Sequence, residues 1–198
     1  MNVYIDFDRT MFNSDNFLDD LEMILSRYNI SQALFYEYGK RIKDNGFNPY
    51  SILKLMSTEI SFDDEIYNEI DKLIMKSDSY LYDDVISFLQ TLKNNGYKLT
   101  LLTKGNREYQ SMKIKSSKVL DYFDDLIITL KHKGELELNY KESIFIDDNP
   151  VEVESIIKRN PMKMIRIKRD GALYNSREVN GDILIVRTFN EIIDKNLL

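Results

Sequence analysis

Four clusters carry the chemistry on offer: Asp6-Phe7-Asp8-Arg9-Thr10, Thr103 with Lys104, Lys131 with Lys133, and Asp147-Asp148. On an extended chain alternate side chains share a face, so Asp6 and Asp8 point into one space. Two carboxylates crowded at the end of an apolar segment are costly unless a cation sits between them. Four gathered carboxylates, with no Cys and one His in the chain, select Mg²⁺ over zinc. Mg²⁺ usually keeps waters and shares its shell with a substrate phosphate. A threonine hydroxyl, the helix N-terminal amides after Gly105 and a lysine are suited to holding phosphate oxygens. In such a site one carboxylate can act as nucleophile, forming an aspartyl-phosphate. The second carboxylate is then placed to protonate the leaving oxygen and later to activate water. Each cluster alone also has a bland reading, because Asp-x-Asp is an ordinary strand exit and Asp-Asp-Asn-Pro a good turn and helix cap. Their order, each at the end of an apolar strand, is what joins them.

The elements that must position these residues follow from hydrophobic periodicity. Residues 2–5 form a short buried strand. Phe17, Leu18, Leu21, Ile24 and Leu25 then recur at helical spacing. Ser31 caps a second helix that ends near Asn45-Gly46, and Asn48-Pro49 opens a third through Ile52, Leu53 and Met56. Ser61 with Asp64 resembles a capping box ahead of Ile66, Ile70, Leu73 and Ile74. Residues 12–79 therefore read as a small helical bundle inserted after the first strand. From Tyr82 onward helices and strands alternate. A helix through Val85, Phe88, Leu89 and Leu92 stops at Asn94-Asn95-Gly96. Strands follow at 98–103, 125–130, 143–148, 164–168 and 183–186. Weaker helical signals follow Gly105-Asn106, Asn149-Pro150 opens a helix, and Thr188 with Glu191 makes a last capping box. This alternation predicts an α/β fold with a parallel sheet and helices on both faces, whose ligand site lies at the carboxyl ends of the strands.

Composition excludes several classes. At 198 residues, 43% hydrophobic and 30% charged, the chain can build a full core and is not a disordered polymer. The absence of cysteine rules out disulfides, thiolate sites and cysteine nucleophiles. With His132 the only histidine, a zinc cluster or a histidine triad is excluded as well. A net charge of −6 argues against nucleic acid as a partner. Apolar runs are far too short to span a membrane, and the N-terminus enters a strand at once. The expected setting is the cytoplasm.

On these motifs the chain resembles the haloacid dehalogenase (HAD) superfamily, in its phosphatase-type branch with an inserted helical cap. Asp6-Phe7-Asp8-Arg9-Thr10 matches the first motif, Leu99-Thr100-Leu101-Leu102-Thr103 the second and Ile144-Phe145-Ile146-Asp147-Asp148 the fourth. The resemblance covers residues 2 to about 169; in the inserted segment it extends only to position and helical character. It implies a Rossmann-like three-layer core formed by 1–11 and 80–198, with 12–79 as cap. It implies Asp6 as nucleophile, Asp8 as general acid/base and Thr103 as a phosphoryl ligand. Mg²⁺ would be held by Asp6, the Asp8 carbonyl and Asp148, with Asp147 assisting directly or through water. The third-motif lysine is assigned to Lys133, with Lys131 as the alternative, and Lys104 is a further phosphate-binding candidate. The stretch from either lysine to Asp147 is short for the family and leaves little room for an intervening helix. The implied activity is hydrolysis of a small phosphorylated metabolite. Phosphoryl transfer to another acceptor, as in a phosphomutase, and a non-catalytic phospho-sensor are the alternatives. Neither the substrate nor the oligomeric state is readable.

The remaining features have structural readings. His132 reads as a solvated loop histidine. The basic residues Lys158, Arg159, Lys163, Arg166, Lys168 and Arg169 read as a solvated face. Tyr28, Tyr36, Tyr38 and Tyr50 read mainly as packing residues. Arg9, between the two acids, is expected to point away from them and to take no part in catalysis.

Overall fold

The computed structural model of the chain describes residues 1–198. Six parallel strands, β1 (Asn2–Ile5), β2 (Lys98–Lys104), β3 (Asp125–Thr129), β4 (Ser143–Asp147), β5 (Lys163–Ile167) and β6 (Leu184–Val186), form one sheet in the order β3-β2-β1-β4-β5-β6. The chain winds outward from β1 through β2 to β3, then returns to β4 on the other side of β1. The crevice where an α/β sheet reverses direction thus falls between β1 and β4. Their register pairs Ile5 with Ile146, so Asp6 and Asp147 leave the sheet side by side.

Alternation sorts the strand residues into two cores. Ile144, Ile146, Leu99 and Leu101 face one side, covered by α5 (Val85–Asn94) and α8 (Phe189–Asp194), whose Phe88 and Phe189 rings stack at 4.3 Å. Phe145, Leu102 and Met164 face the other, covered by Val153 and Ile156 of α7 (Pro150–Ile157) and by Tyr140. The result is a three-layer α/β fold.

Between β1 and β2 lie α1 (Ser14–Arg27), α2 (Gln32–Arg41), α3 (Pro49–Met56) and α4 (Glu65–Met75); α6 (Arg107–Ser117) follows β2. Side chains of Asn13, Ser31, Asn48, Asn106, Asn149 and Thr188 each accept a backbone N–H at a helix start, satisfying donors that would otherwise be orphaned. The expected Ser61 capping box does not form. Instead α4 begins at Glu65, and Asp63 accepts the Glu65 N–H at 2.9 Å. Asp64 is too short and too near the start to reach back as a Glu at the third helical position does. Between Lys133 and β4 the chain makes only two short turns, Lys133–Glu135 and Tyr140–Glu142, as the brevity of that stretch requires.

Two residues of the basic segment near β5 depart from its expected solvated face, whereas Lys158 and Arg159 are exposed as expected. Arg166 and Arg169 are 0% and 4% exposed. Arg169 forks onto Asp84 at 2.7 and 2.8 Å and also donates twice to the Thr10 carbonyl. Asp84 in turn accepts the Phe189 N–H at 2.7 Å. One guanidinium thereby ties the exit of β1 to the starts of α5 and α8. Periodicity could not show this, because an inward-facing Arg and a solvated Arg have the same spacing. Arg169→Met strands a buried carboxylate and should cost about 3–5 kcal/mol in urea unfolding. Arg187→Ala, which breaks an exposed pair with Asp170, should leave the midpoint close to wild type. Equal effects would contradict the buried-brace reading.

Candidate active site

The crevice beyond β1 and β4 opens into a cavity of about 710 Å³. On its floor the Lys133 ammonium lies 2.5 Å from Asp6 and 2.5 Å from Asp147, with all three side chains buried. Asp148 completes the group: one oxygen from each of Asp6, Asp147 and Asp148 falls within 4.8 Å of the others. Asp147 also accepts the Asn149 N–H at 2.9 Å, whereas Asp148 Oδ2 is buried with no hydrogen-bond partner. Three carboxylates facing one lysine leave an excess of buried negative charge. Burial, then Asp6 and Asp147, push the Asp148 carboxyl well above the usual carboxylate range. Burial above all, with Asp147 opposing Lys133, pushes Asp6 up to about 7. Burial would depress the Lys133 ammonium, but Asp147 and Asp6 outweigh it and hold it above its ordinary range. An all-oxygen donor set with an orphaned buried carboxylate oxygen fits a hard divalent cation.

Lys133 is positioned from three sides. Its N–H donates to Glu152 at 2.8 Å, its carbonyl accepts from the Tyr140 hydroxyl at 2.5 Å, and Gly134 packs directly on α7. A Cβ at Gly134 would lie 2.1 Å from the Ser155 carbonyl oxygen, so no other residue allows this approach. Lys131 is exposed and lies outside the cavity, its N–H donating to Thr129 at 3.0 Å. Thr103 and Lys104 both line the cavity. Thr103 Oγ1 accepts from Gln110 at 3.2 Å, whereas Lys104 is drawn to Glu152 at 2.9 Å. His132 keeps its expected solvated loop position, its side chain 42% exposed, and its Nδ1 lies 2.8 Å from the same Glu152.

Asp8 occupies a different environment two residues from Asp6. Its Oδ1 accepts from Lys113 at 2.5 Å and Ser14 at 2.7 Å, and its Oδ2 from Gln110 at 2.6 Å. Burial alone would raise this carboxyl, but Lys113 and the two hydrogen bonds prevail and hold it below the usual range. Lys113 is itself buried in a box of aromatic faces, 5.0–5.5 Å from the rings of Phe7, Phe12 and Tyr109. Gln110, Lys113, Ser14 and Glu152 escaped the sequence reading. The one trace of the first two is their spacing, three residues apart on a helix face that is weakly apolar.

One further expectation is corrected. Arg9 does not point away: past Ile5 the strand alternation ends, and Arg9 turns through φ +58° to line the cavity. It pairs there with Asp15 at 2.7 Å and lies over the Tyr174 ring. The tyrosines keep their expected packing role, Tyr38 within the core and Tyr28, Tyr36 and Tyr50 against it; Tyr36 also lines the cavity, while Tyr38 and Tyr50 bond to Glu59 and Asp71 outside it.

The sequence profile of haloacid dehalogenase-like hydrolases matches residues 3–165. No curated protein sequence matches the chain. Solved structures share the fold at low identity. A HAD phosphatase from Thermococcus onnurineus is 22% identical over 99% of this chain and 97% of its own, with a TM-score of 0.71. A haloacid dehalogenase-like protein from Burkholderia xenovorans LB400 is 15% identical over 98% and 95%, with a TM-score of 0.79. The HAD-hydrolase YfnB from Bacillus subtilis, solved bound to magnesium, is 11% identical over 100% and 98%, with a TM-score of 0.68.

The charge excess has a measurable consequence. A carboxyl whose folded pKa is raised binds more protons folded than unfolded, so stability falls as pH rises through that window. For Asp6 the window runs from the ordinary 3.8 to about 7. Thermal unfolding of the metal-free protein should therefore show the melting temperature falling across it, and saturating Mg²⁺ should restore it at pH 7. Asp148→Asn should flatten both responses. An unchanged Mg²⁺ response in that variant would remove Asp148 from the ion site.

Proposed function

This chain belongs to the haloacid dehalogenase-like hydrolase family, and from that premise we propose that it is a Mg²⁺-dependent phosphatase of a small phosphomonoester. The observation that carries this reading is the opposed treatment of two acids at one strand end. Asp6 is buried with Lys133, Asp147 and the unpartnered Asp148, while Asp8 is held apart as a carboxylate by Lys113, Gln110 and Ser14. Pairs of acids pushed in opposite directions mark divided catalytic roles.

In this reading Asp6 attacks phosphorus, the bond to the ester oxygen breaks, and Asp8, which takes up one proton from solvent as the anionic ester binds beside it, passes that proton to the leaving oxygen. Asp8, again a carboxylate, then takes a proton from water as the oxygen of that water attacks the aspartyl-phosphate and frees Asp6. Thr103 and Lys133 hold phosphoryl oxygens, and Lys104 adds positive potential from its place on Glu152. Asp6, the Asp8 carbonyl and Asp148, with Asp147 directly or through water, would hold Mg²⁺, which would supply positive charge against the transferred phosphoryl group. Residues 12–79 form the cap over a core of 1–11 and 80–198, excluding bulk water and selecting the ester. The absence of cysteine favours a cytoplasmic setting, and no helix is long and apolar enough to cross a membrane.

Phosphate release from p-nitrophenyl phosphate should require Mg²⁺ and stop on adding EDTA. Asp6→Asn should abolish turnover, and activity surviving in that variant would sink the proposal. Asp8→Asn should lower kcat by about 10²–10⁴-fold, measured under saturating substrate. A smaller loss in Asp8→Asn than in Ser14→Ala would reassign the acid/base.

A further inference from the structure

The cavity is far larger than a phosphate group, and its upper part differs in chemistry from its floor. Four cations reach it from the core and the first loop, and each already has its own carboxylate. Lys133 holds Asp6 and Asp147, Lys113 holds Asp8, Lys104 holds Glu152, and Arg9 holds Asp15. What remains is Lys43, exposed at the rim beside Asp44, and His132, which leans on Glu152. A second phosphate needs several charge-assisted hydrogen bonds at one place, and this wall does not gather them.

Instead, aromatic faces run from the helical insertion down to the acid/base. Tyr36 and Phe47 lie 6.4 Å apart between ring centroids, and Phe47 meets Tyr109 edge-on at 5.6 Å. All three line the cavity, and Tyr109 forms one side of the box that holds the Lys113 ammonium against Asp8. Leu18 and the half-exposed Leu130 add apolar surface to the cavity lining. The wall is fixed in place: a Cβ at Gly46, beside Phe47, would lie 2.6 Å from the Asn106 nitrogen. Asn106 also donates to the Asn45 carbonyl at 3.0 Å. The side of the site nearest Asp8 is where the leaving group must sit, because Asp8 handles its proton.

We infer that the ester carries one phosphate and that its leaving group bears a planar, uncharged ring seated against Tyr36, Phe47 and Tyr109. This inference rests on the phosphatase reading for its orientation. Flat apolar rings gain most from an aromatic wall by edge or offset contact, and the phosphate end supplies the only charge the floor is built to meet. An aryl phosphate and a nucleoside monophosphate share this chemistry.

Binding separates the inference from the reading. In calorimetry with Mg²⁺ present, phenylphosphonate should bind at least about tenfold more tightly than methylphosphonate. That ratio should fall several-fold in Phe47→Leu and in Tyr36→Leu, which keep apolar bulk but lose the ring; unchanged melting temperatures would show that both variants are folded. In turnover, phenyl phosphate or a nucleoside 5′-monophosphate should exceed glycerol 3-phosphate and a hexose bisphosphate in kcat/KM, and the better of the first two identifies the ring source. Equal phosphonate affinities, a ratio unmoved by both variants, or preference for the bisphosphate would overturn the inference. Phosphonate discrimination without turnover of any ester would overturn the phosphatase reading and leave the ring site standing.

Discussion

Three buried carboxylates sharing one lysine is the constraint on which the rest of this structure depends. Asp6, Asp147 and Asp148 face Lys133 on the floor of the cavity with little of any side chain exposed, an arrangement that costs several kcal/mol of desolvation per uncompensated ion. A fold can sustain this only where the backbone is over-determined. The switch point between β1 and β4 provides that, since Asp6 and Asp147 leave adjacent hydrogen-bonded strands, and the Asp6 N–H itself donates to Ile146. Lys133 comes from outside the sheet and needs separate support. Glu152, Tyr140 and the bare Cα of Gly134 against α7 supply it.

The same strand end produces two acids of opposite disposition. Desolvation dominates at Asp6, where the nearest cation is shared with Asp147 and other carboxylates crowd in. At Asp8 desolvation is overcome because Lys113 is not shared with any other acid and Gln110 and Ser14 saturate both oxygens. A separation of two residues is enough because Asp8 lies in a sharp turn just past the strand, with Met11 and Phe12 both donating to the Phe7 carbonyl and Arg9 in the left-handed region. The aromatic box of Phe7, Phe12 and Tyr109 keeps the Lys113 charge directed at Asp8.

The residues legible in the sequence are those whose placement in the cavity depends on local order. Asp6, Asp8, Thr103 and Asp147-Asp148 are legible because each follows an apolar run that can only be a strand, and strand ends in this topology converge. The parallel sheet and the insertion after the first strand are legible for the same reason. Lys113, Gln110 and Glu152 are not, because each lies on a helix whose rotation about its axis is set by tertiary packing. Nothing in Gln110-Ser111-Met112-Lys113 distinguishes an inward pair from a solvated one. Arg166 and Arg169 carry the same ambiguity, and Arg9 lies past the last strand residue, where strand alternation no longer sets its direction. The Ser61 box failed for want of a long acid at the third helical position.

What binds the inserted helices to the chemistry is a pair of helix caps that cap each other. Asn48 starts α3 and Asn106 starts α6, each accepting N–H groups of its own helix. Asn48 also donates to Asn106 at 3.2 Å, and Asn106 to the Asn45 carbonyl. A displacement of the loop carrying Phe47 therefore disturbs the first turn of the helix that carries Gln110 and Lys113. Those two residues hold Asp8, and Gln110 reaches Thr103 as well. The wall proposed to contact the leaving group and the acid proposed to serve it are thus parts of one hydrogen-bonded unit. Selection of the ester and orientation of the proton-carrying group need not evolve, or fail, independently.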